Sequence, residues 1–265
     1  MNAKLPQSDT PYVLRTDQHG VTTLTLNRAE RFNPLSEAMM SALQAELTDI
    51  ASDEAVRVVV LAAQGKAFCA GHDLKQMRAT PSATFYQQLF DQCSKLMLLI
   101  QQMPQPVIAR VQGIATAAGC QLVGMCDLAV ASTEATFAMS GVNYGLFCST
   151  PSVPLSRNVP RKQAMEMLLT GDFIDAHTAR ERGLVNRVVA PDALDDEIAK
   201  LTTSILAKPA VAIAMGKQMF YRQVEMGIAA AYQLAGQTMA CNMMDDTALE
   251  GVQAFIEKRT PSWKR

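Results

Sequence analysis

Apolar positions along the chain switch between a two-residue and a helical period, and that switching predicts an α/β protein. Residues 21–26 (VTTLTL) follow His19 and Gly20 and read as the second strand of a hairpin begun over residues 12–16. Residues 36–50 set Met39, Met40, Leu43, Leu47 and Ile50 at helical spacing, with Ser36 placed to cap them. Residues 56–63 (VRVVVLAA) are β-branched and nearly all apolar, as in a strand covered on both faces. A loop is predicted over residues 64–75, then a helix over residues 85–103 that Pro104 and Pro106 stop. Residues 107–111 and 127–131 read as two further buried strands. Strands alternating with helices imply right-handed crossovers and a largely parallel sheet.

Beyond Pro151 the pattern turns helical. Residues 161–169, 175–182, 192–207, 211–224 and 228–258 carry helical spacing, with one short strand expected over residues 186–189. This tail has no β core of its own, and long apolar helices of that kind cover a neighbour or build an oligomer interface. The expected division is residues 1–190 as an α/β core and residues 191–265 as a helical region.

Composition refines this mostly by exclusion. The 265 residues are 49% hydrophobic and 18% charged, which suits a folded chain with a sizeable core. With 24 basic and 25 acidic residues the net charge is −1, so no basic field recommends nucleic acid as a partner. No run approaches the ~18 apolar residues of a membrane span. The amino terminus, MNAKLPQSDT, is polar and lacks an apolar signal core. The six cysteines show neither zinc-ligand spacing nor disulfide density, so free thiols in a reducing, cytoplasmic setting are expected, with no metal centre.

Two stretches carry candidate chemistry, each directly after a buried strand. Residues 64–75 (QGKAFCAGHDLK) form a glycine-bearing turn where open α/β sheets bind ligands, but they lack dinucleotide and P-loop spacing. Residues 113–132 (GIATAAGCQLVGMCDLAVAS) begin with small residues, and a helix starting near Ala118 would turn its first amides outward. Two such loops can aim two backbone N–H groups at one point, an arrangement that favours charge developing on a carbonyl oxygen, although composition alone equally fits Ala-rich helix packing. Asp127 and Asp73 read as structural, the latter as a local backbone cap.

Together with TFAMSGVNYGL and LLTGDFIDAHTARERGLVNRVV, these stretches resemble the crotonase, or enoyl-CoA hydratase/isomerase, family, in order and over about residues 13–259. The resemblance implies a ββα spiral core followed by helices that build trimers or hexamers, and an acyl-CoA thioester as ligand with no further cofactor. It implies that the amides of His72 and Ala118 form the oxyanion hole. Arg31, Ala70, His72, Asp73 and Leu74 would contact CoA, as would Phe255 and Lys258 from an adjacent subunit. Hydratases of the family use two glutamates, and their places are taken here by Gln121 and Gly141. An amide does not exchange protons near neutral pH, so ordinary hydratase activity is expected to be weak or absent. Asn143, Tyr144 and Cys148 would line the pocket. Hydratase-like binding without that acid–base pair leaves two readings: another thioester enzyme (isomerase, decarboxylase or hydrolase), or a non-catalytic acyl-CoA binder.

Overall fold

Each early turn of the chain lays down two strands and then helix. The computed structural model describes residues 10–79 and 81–263, so the polar amino-terminal stretch lies outside the described residues apart from Thr10. Strands β1 (Val13–Gln18) and β2 (Val21–Leu26) form the antiparallel hairpin, and Ser36 caps α1 (Glu37–Ala51) by accepting the Met39 amide. Then come β3 (Val58–Ala63), β4 (Ala67–Cys69), α2 (Leu74–Ala79) and α3 (Ala83–Gln102). A third turn holds β5 (Val107–Val111), β6 (Ile114–Thr116) and α4 (Ala118–Met125). A fourth holds β7 (Leu128–Ser132), β8 (Thr136–Ala138), α5 (Ser149–Asn158) and α6 (Arg161–Thr170). After β9 (Ile174–Asp175), α7 (Ala176–Glu181) and β10 (Arg187–Val189), the chain is helical: α8 (Leu194–Leu206), α9 (Ala210–Gln223), α10 (Ile228–Met243) and α11 (Asp246–Ile256).

Both strands of the opening hairpin and the first strand of each later turn join a six-stranded sheet, ordered β1-β2-β3-β5-β7-β10 and parallel from β2 onward. The second joins a smaller sheet, β4-β6-β8-β9, parallel except at its β9 edge. Strand alternation explains why β3 is buried throughout. Val59 and Leu61 enter the main core with α1 and α3, while Val58 and Val60 pack with Ile108, Val130, Leu194 and Ile198 under α8.

The structure departs from the sequence expectations in three places. Residues 64–75 are not one loop, because they contain β4 and the start of α2. Residues 228–258 are two helices rather than one, since Asp245 caps α11 by accepting the Thr247 amide. The helix α5 was not anticipated, because Pro151 and Pro154 lie within it. Pro154 removes the N–H that would have reached the Thr150 carbonyl.

The helical tail is pinned to the sheet by a buried charge. Lys217 of α9 donates to the carbonyls of Ile100 and Gln105 and to Asp127 Oδ2 at 2.7–2.9 Å. The Tyr221 hydroxyl donates to Asp127 Oδ1, and the Val107 amide donates to Oδ2. Burial pushes the Lys217 pKa down, against the attraction of Asp127. The structural role expected for Asp127 is thus a joint between α9 and the ends of β5 and β7.

Candidate functional site

Close backbone approach builds the site. The loop before α1 reaches the β4–α2 connection through Leu35 N–H to Gly71 O (2.8 Å) and Ala70 N–H to Phe32 O (3.0 Å). Asn33, left-handed at φ 51° and fully buried, ties this loop down. Its Oδ1 accepts the Arg28 amide, and its Nδ2 donates to the Gln64 and Ala67 carbonyls at 2.9 Å. Gln112 Nε2 adds bonds to the Ala63, Gly65 and Ala67 carbonyls along the β3–β4 connection. Neither residue was singled out by sequence reading; the tolerance of Asn for the left-handed region was the available signal.

Across from this loop lies the start of α4. A Cβ at Gly119 would stand 2.0 Å from the Cys69 carbonyl oxygen, so only glycine lets α4 sit this close to β4. Gly71 adopts φ +89°, and a Cβ there would lie 3.3 Å from the Ala118 nitrogen. Ala118 is the first residue of α4, so its N–H has no acceptor within the helix. The His72 N–H also reaches no backbone oxygen among the described residues. The strained residue at this turn is Ala117, at φ 50° and ψ −120°. That kink lets Ala117 N–H bond Ala138 O at 2.9 Å while the chain turns into the helix.

His72, Ala118 and Ala70 share a cavity of about 160 Å³ with Gly141, Tyr144 and Cys148. Its remaining wall is largely apolar, including Met77, Phe90, Leu146 and Phe147. Tyr144 stands 73% exposed at the rim, and Leu74 is also exposed there. Asn143 is not part of this wall; its Nδ2 donates to the Gly171 carbonyl at 3.3 Å.

His72 Nδ1 lies 3.1 Å from the Leu35 carbonyl, which only accepts, so Nδ1 carries the proton. Its Nε2 is buried without a partner, and the ring meets Phe90 edge-on at 5.6 Å. Burial pushes the His72 pKa down, opposed by the Leu35 bond, so the ring is neutral at pH 7. Asp73 caps its own turn, accepting the Lys75 and Gln76 amides, and holds Arg31 at 2.6 Å. Arg31 is half-exposed on that tether.

Gly141 and Gln121, expected from the sequence to replace the hydratase glutamates, are structurally unlike each other. Gly141 has no space for a side chain: a Cβ would meet Leu146 O at 2.4 Å and Cys148 Sγ at 2.8 Å. The Gly141 amide donates to that sulfur, but burial dominates and raises the thiol pKa, so Cys148 is a poor nucleophile. Beside it, Ser140 Oγ and Thr116 Oγ1 are 2.7 Å apart. Gln121 does not line this cavity. It is 3% exposed, its Oε1 has no hydrogen-bond partner, and it lines a neighbouring cavity of about 370 Å³ that shares Thr150 with the first.

Phe255 and Lys258 do not line the cavity of their own chain. Phe255 is 84% exposed on α11, and Lys258 follows at φ 56°. No cluster of three or more His, Cys, Asp or Glu suited to a metal occurs among the described residues.

Comparison with known proteins gives the family and the fold. The family model for enoyl-CoA hydratase/isomerase matches residues 16–265. The Xenopus laevis protein named enoyl-CoA hydratase domain-containing protein 3, mitochondrial, is 42% identical over 99% of this chain and 90% of its own length. A crystal structure of an enoyl-CoA hydratase from Mycobacterium smegmatis is 64% identical, with a TM-score of 0.95 over 96% of this chain and 99% of that one. The crystal structure of human enoyl-CoA hydratase domain-containing protein 3 is 40% identical, with a TM-score of 0.92 over 95% of this chain and all of that one. The chain therefore has the crotonase fold and belongs to the enoyl-CoA hydratase/isomerase family.

Proposed function

We propose that this protein binds acyl-CoA thioesters and polarises their carbonyl, with little or no ordinary hydratase activity. One observation carries the reading: the N–H groups of His72 and Ala118, from two loops in backbone contact, both border one apolar cavity and have no backbone acceptor. A thioester oxygen between them takes up negative charge, and the apolar wall holds the acyl group. Arg31 and the neighbouring turn Ala70, Asp73 and Leu74 sit where the CoA moiety would leave the cavity.

Hydration needs groups that exchange protons at the acyl α and β carbons. Among the described residues, the cavity wall offers no carboxylate. His72 is neutral but has its basic Nε2 sealed, and Cys148 is protonated. Each missing general acid–base is worth about 10²–10⁴ in rate. The proposal therefore favours an acyl-CoA binder, or an enzyme of slower thioester chemistry, over a hydratase.

The exposed apolar residues Ile228, Tyr232, Met239, Met244 and Phe255 on and beside α10 and α11 support a homotrimer or a hexamer as the working form. In that assembly Phe255 and Lys258 would reach the CoA of an adjacent copy. Five of the six cysteines are buried free thiols, which suits a reducing compartment. The expected cytoplasmic setting is one such, whereas the Xenopus relative is named mitochondrial.

Crotonyl-CoA hydration, followed at the enoyl absorbance, tests the chemical half, and calorimetric titration with butanoyl-CoA tests the binding half. Submillimolar binding with hydration at least a thousandfold below an active hydratase is expected. Near-normal turnover would sink the proposal.

A further inference from the structure

Ala117 is out of keeping with the turn that holds it. A positive φ with ψ −120° is open to glycine, whereas an alanine there is strained. Thr116, Ala118 and Gly119 are buried around it, and Ala117 alone of the four is half-buried, bordering the first cavity. Both of its backbone polar groups are taken. The Ala117 N–H donates to the Ala138 carbonyl at 2.9 Å, and the Ala117 carbonyl accepts the Gln121 amide at 3.0 Å. What Ala117 presents to the cavity is therefore its methyl group.

That methyl faces the other loop of the site. A Cβ at Gly71 would stand 3.1 Å from the Ala117 Cβ. Gly71 and Ala117 thus oppose each other, each one residue ahead of an amide assigned to the hole, those of His72 and Ala118. A thioester oxygen within about 3 Å of both amides brings the acyl C1 and C2 up to the cleft between these two residues. Ala70 and Leu74, past which CoA would leave, belong to the Gly71 side of the cavity. The acyl group therefore turns toward the α4 side, where the Ala117 methyl stands beside C2.

We propose that Ala117 is a specificity-determining residue: its methyl admits acyl groups unbranched at the α-carbon and excludes those that carry a substituent there. This rests on the acyl-CoA reading of the first cavity. A straight chain has only hydrogens at C2, which pack against a methyl. A C2 methyl needs the volume that the Ala117 methyl fills, and the bonds to Ala138 and Gln121 hold the turn in place. Glycine would carry the same turn without strain, so the methyl is kept against a cost, as befits a group with a task at the site.

Calorimetric titration of the full-length protein and its Ala117→Gly variant with butanoyl-, 2-methylpropanoyl- and 3-methylbutanoyl-CoA tests it. The first two are isomers that differ only in the branch at C2. The wild type should bind butanoyl-CoA about tenfold or more tighter than 2-methylpropanoyl-CoA, the low end of what one misplaced carbon costs in an apolar pocket. Ala117→Gly should shrink that preference to about threefold or less, with the ratio of 3-methylbutanoyl- to butanoyl-CoA unchanged. It should also raise the melting midpoint by roughly 2–4 °C as the strain is relieved. Equal wild-type affinity for the two isomers, or a preference that survives Ala117→Gly, overturns the assignment while leaving the thioester site intact. An equal gain for 3-methylbutanoyl-CoA overturns it too, since the cavity would then be wider everywhere. A lowered melting midpoint with loss of every ligand makes the methyl a prop of the turn, and likewise overturns it. Failure of butanoyl-CoA to bind the wild type overturns the thioester site, and this inference with it.

Discussion

Gly119→Ala isolates the backbone contact on which the proposed hole depends. The added methyl would stand 2.0 Å from the Cys69 carbonyl oxygen and 2.7 Å from its carbon. Both are main-chain atoms of β4, so no side chain can swing aside. Relief requires the first turn of α4 to withdraw by roughly 1 Å or more, at a cost near the top of the ~1–3 kcal/mol range for overpacking. Alanine recovers about 1 kcal/mol in helix propensity, leaving a net loss of about 2 kcal/mol. For a chain of this size that lowers the melting midpoint by roughly 4–8 °C. The same withdrawal carries the Ala118 N–H away from the His72 N–H, so butanoyl-CoA should bind about tenfold more weakly, one charge-stabilising hydrogen bond being lost. Scanning calorimetry and isothermal titration read the two effects. Gly216→Ala is the control, since nothing lies within 4 Å of a Cβ there, and it should stabilise by about 0.5–1 kcal/mol. A Gly119→Ala protein with native melting and native affinity would refute the reasoning.

Two further perturbations probe the frame and the pocket. Lys217→Met leaves Asp127 buried opposite an apolar end and removes three hydrogen bonds, so about 3–5 kcal/mol of stability should be lost in urea titrations. Loss of less than about 1 kcal/mol would show that α9 docks by apolar contact alone. The His72 pKa lies below 6.5 in the folded chain, so between that value and 6.5 the unfolded chain binds more protons. Its contribution to stability is thus complete above about pH 7 and declines as pH falls through 6.5 toward the folded pKa. His72→Gln should flatten that acid limb, and a His72 ring titrating by NMR at or above 6.5 would contradict it.

Periodicity made the long elements legible. The strands β2, β3, β5 and β7 and the helices α1 and α3 carry their own apolar patterns and lie close to the expected ranges. The smaller sheet did not, because β4, β6 and β8 have three residues each and are defined by partners dozens of positions away. The same distance hid the Asp127 joint, whose partners Lys217 and Tyr221 lie in a different helix. At the site, small residues and motif order led to His72 and Ala118, which the fold brings to one cavity. Sequence could not show that Gln121 and Gly141 part company. Motif order groups the two positions, whereas Gly141 borders the first cavity and Gln121 the neighbouring one that shares Thr150 with it.

The crowding around Gly141 also bears on how reversible this site is in evolution. A return from Gln121 to glutamate replaces one side chain by another of nearly equal shape. A return at Gly141 meets Leu146 O and Cys148 Sγ, so the turn from Ser140 to Cys148 must first be laid differently. The two positions would therefore take an acid by unequal routes, an exchange of similar side chains in one case and a remodelled loop in the other. On the proposed reading, a chain with this turn closed would be held away from hydratase chemistry by its main chain, even with the His72 and Ala118 amides in place.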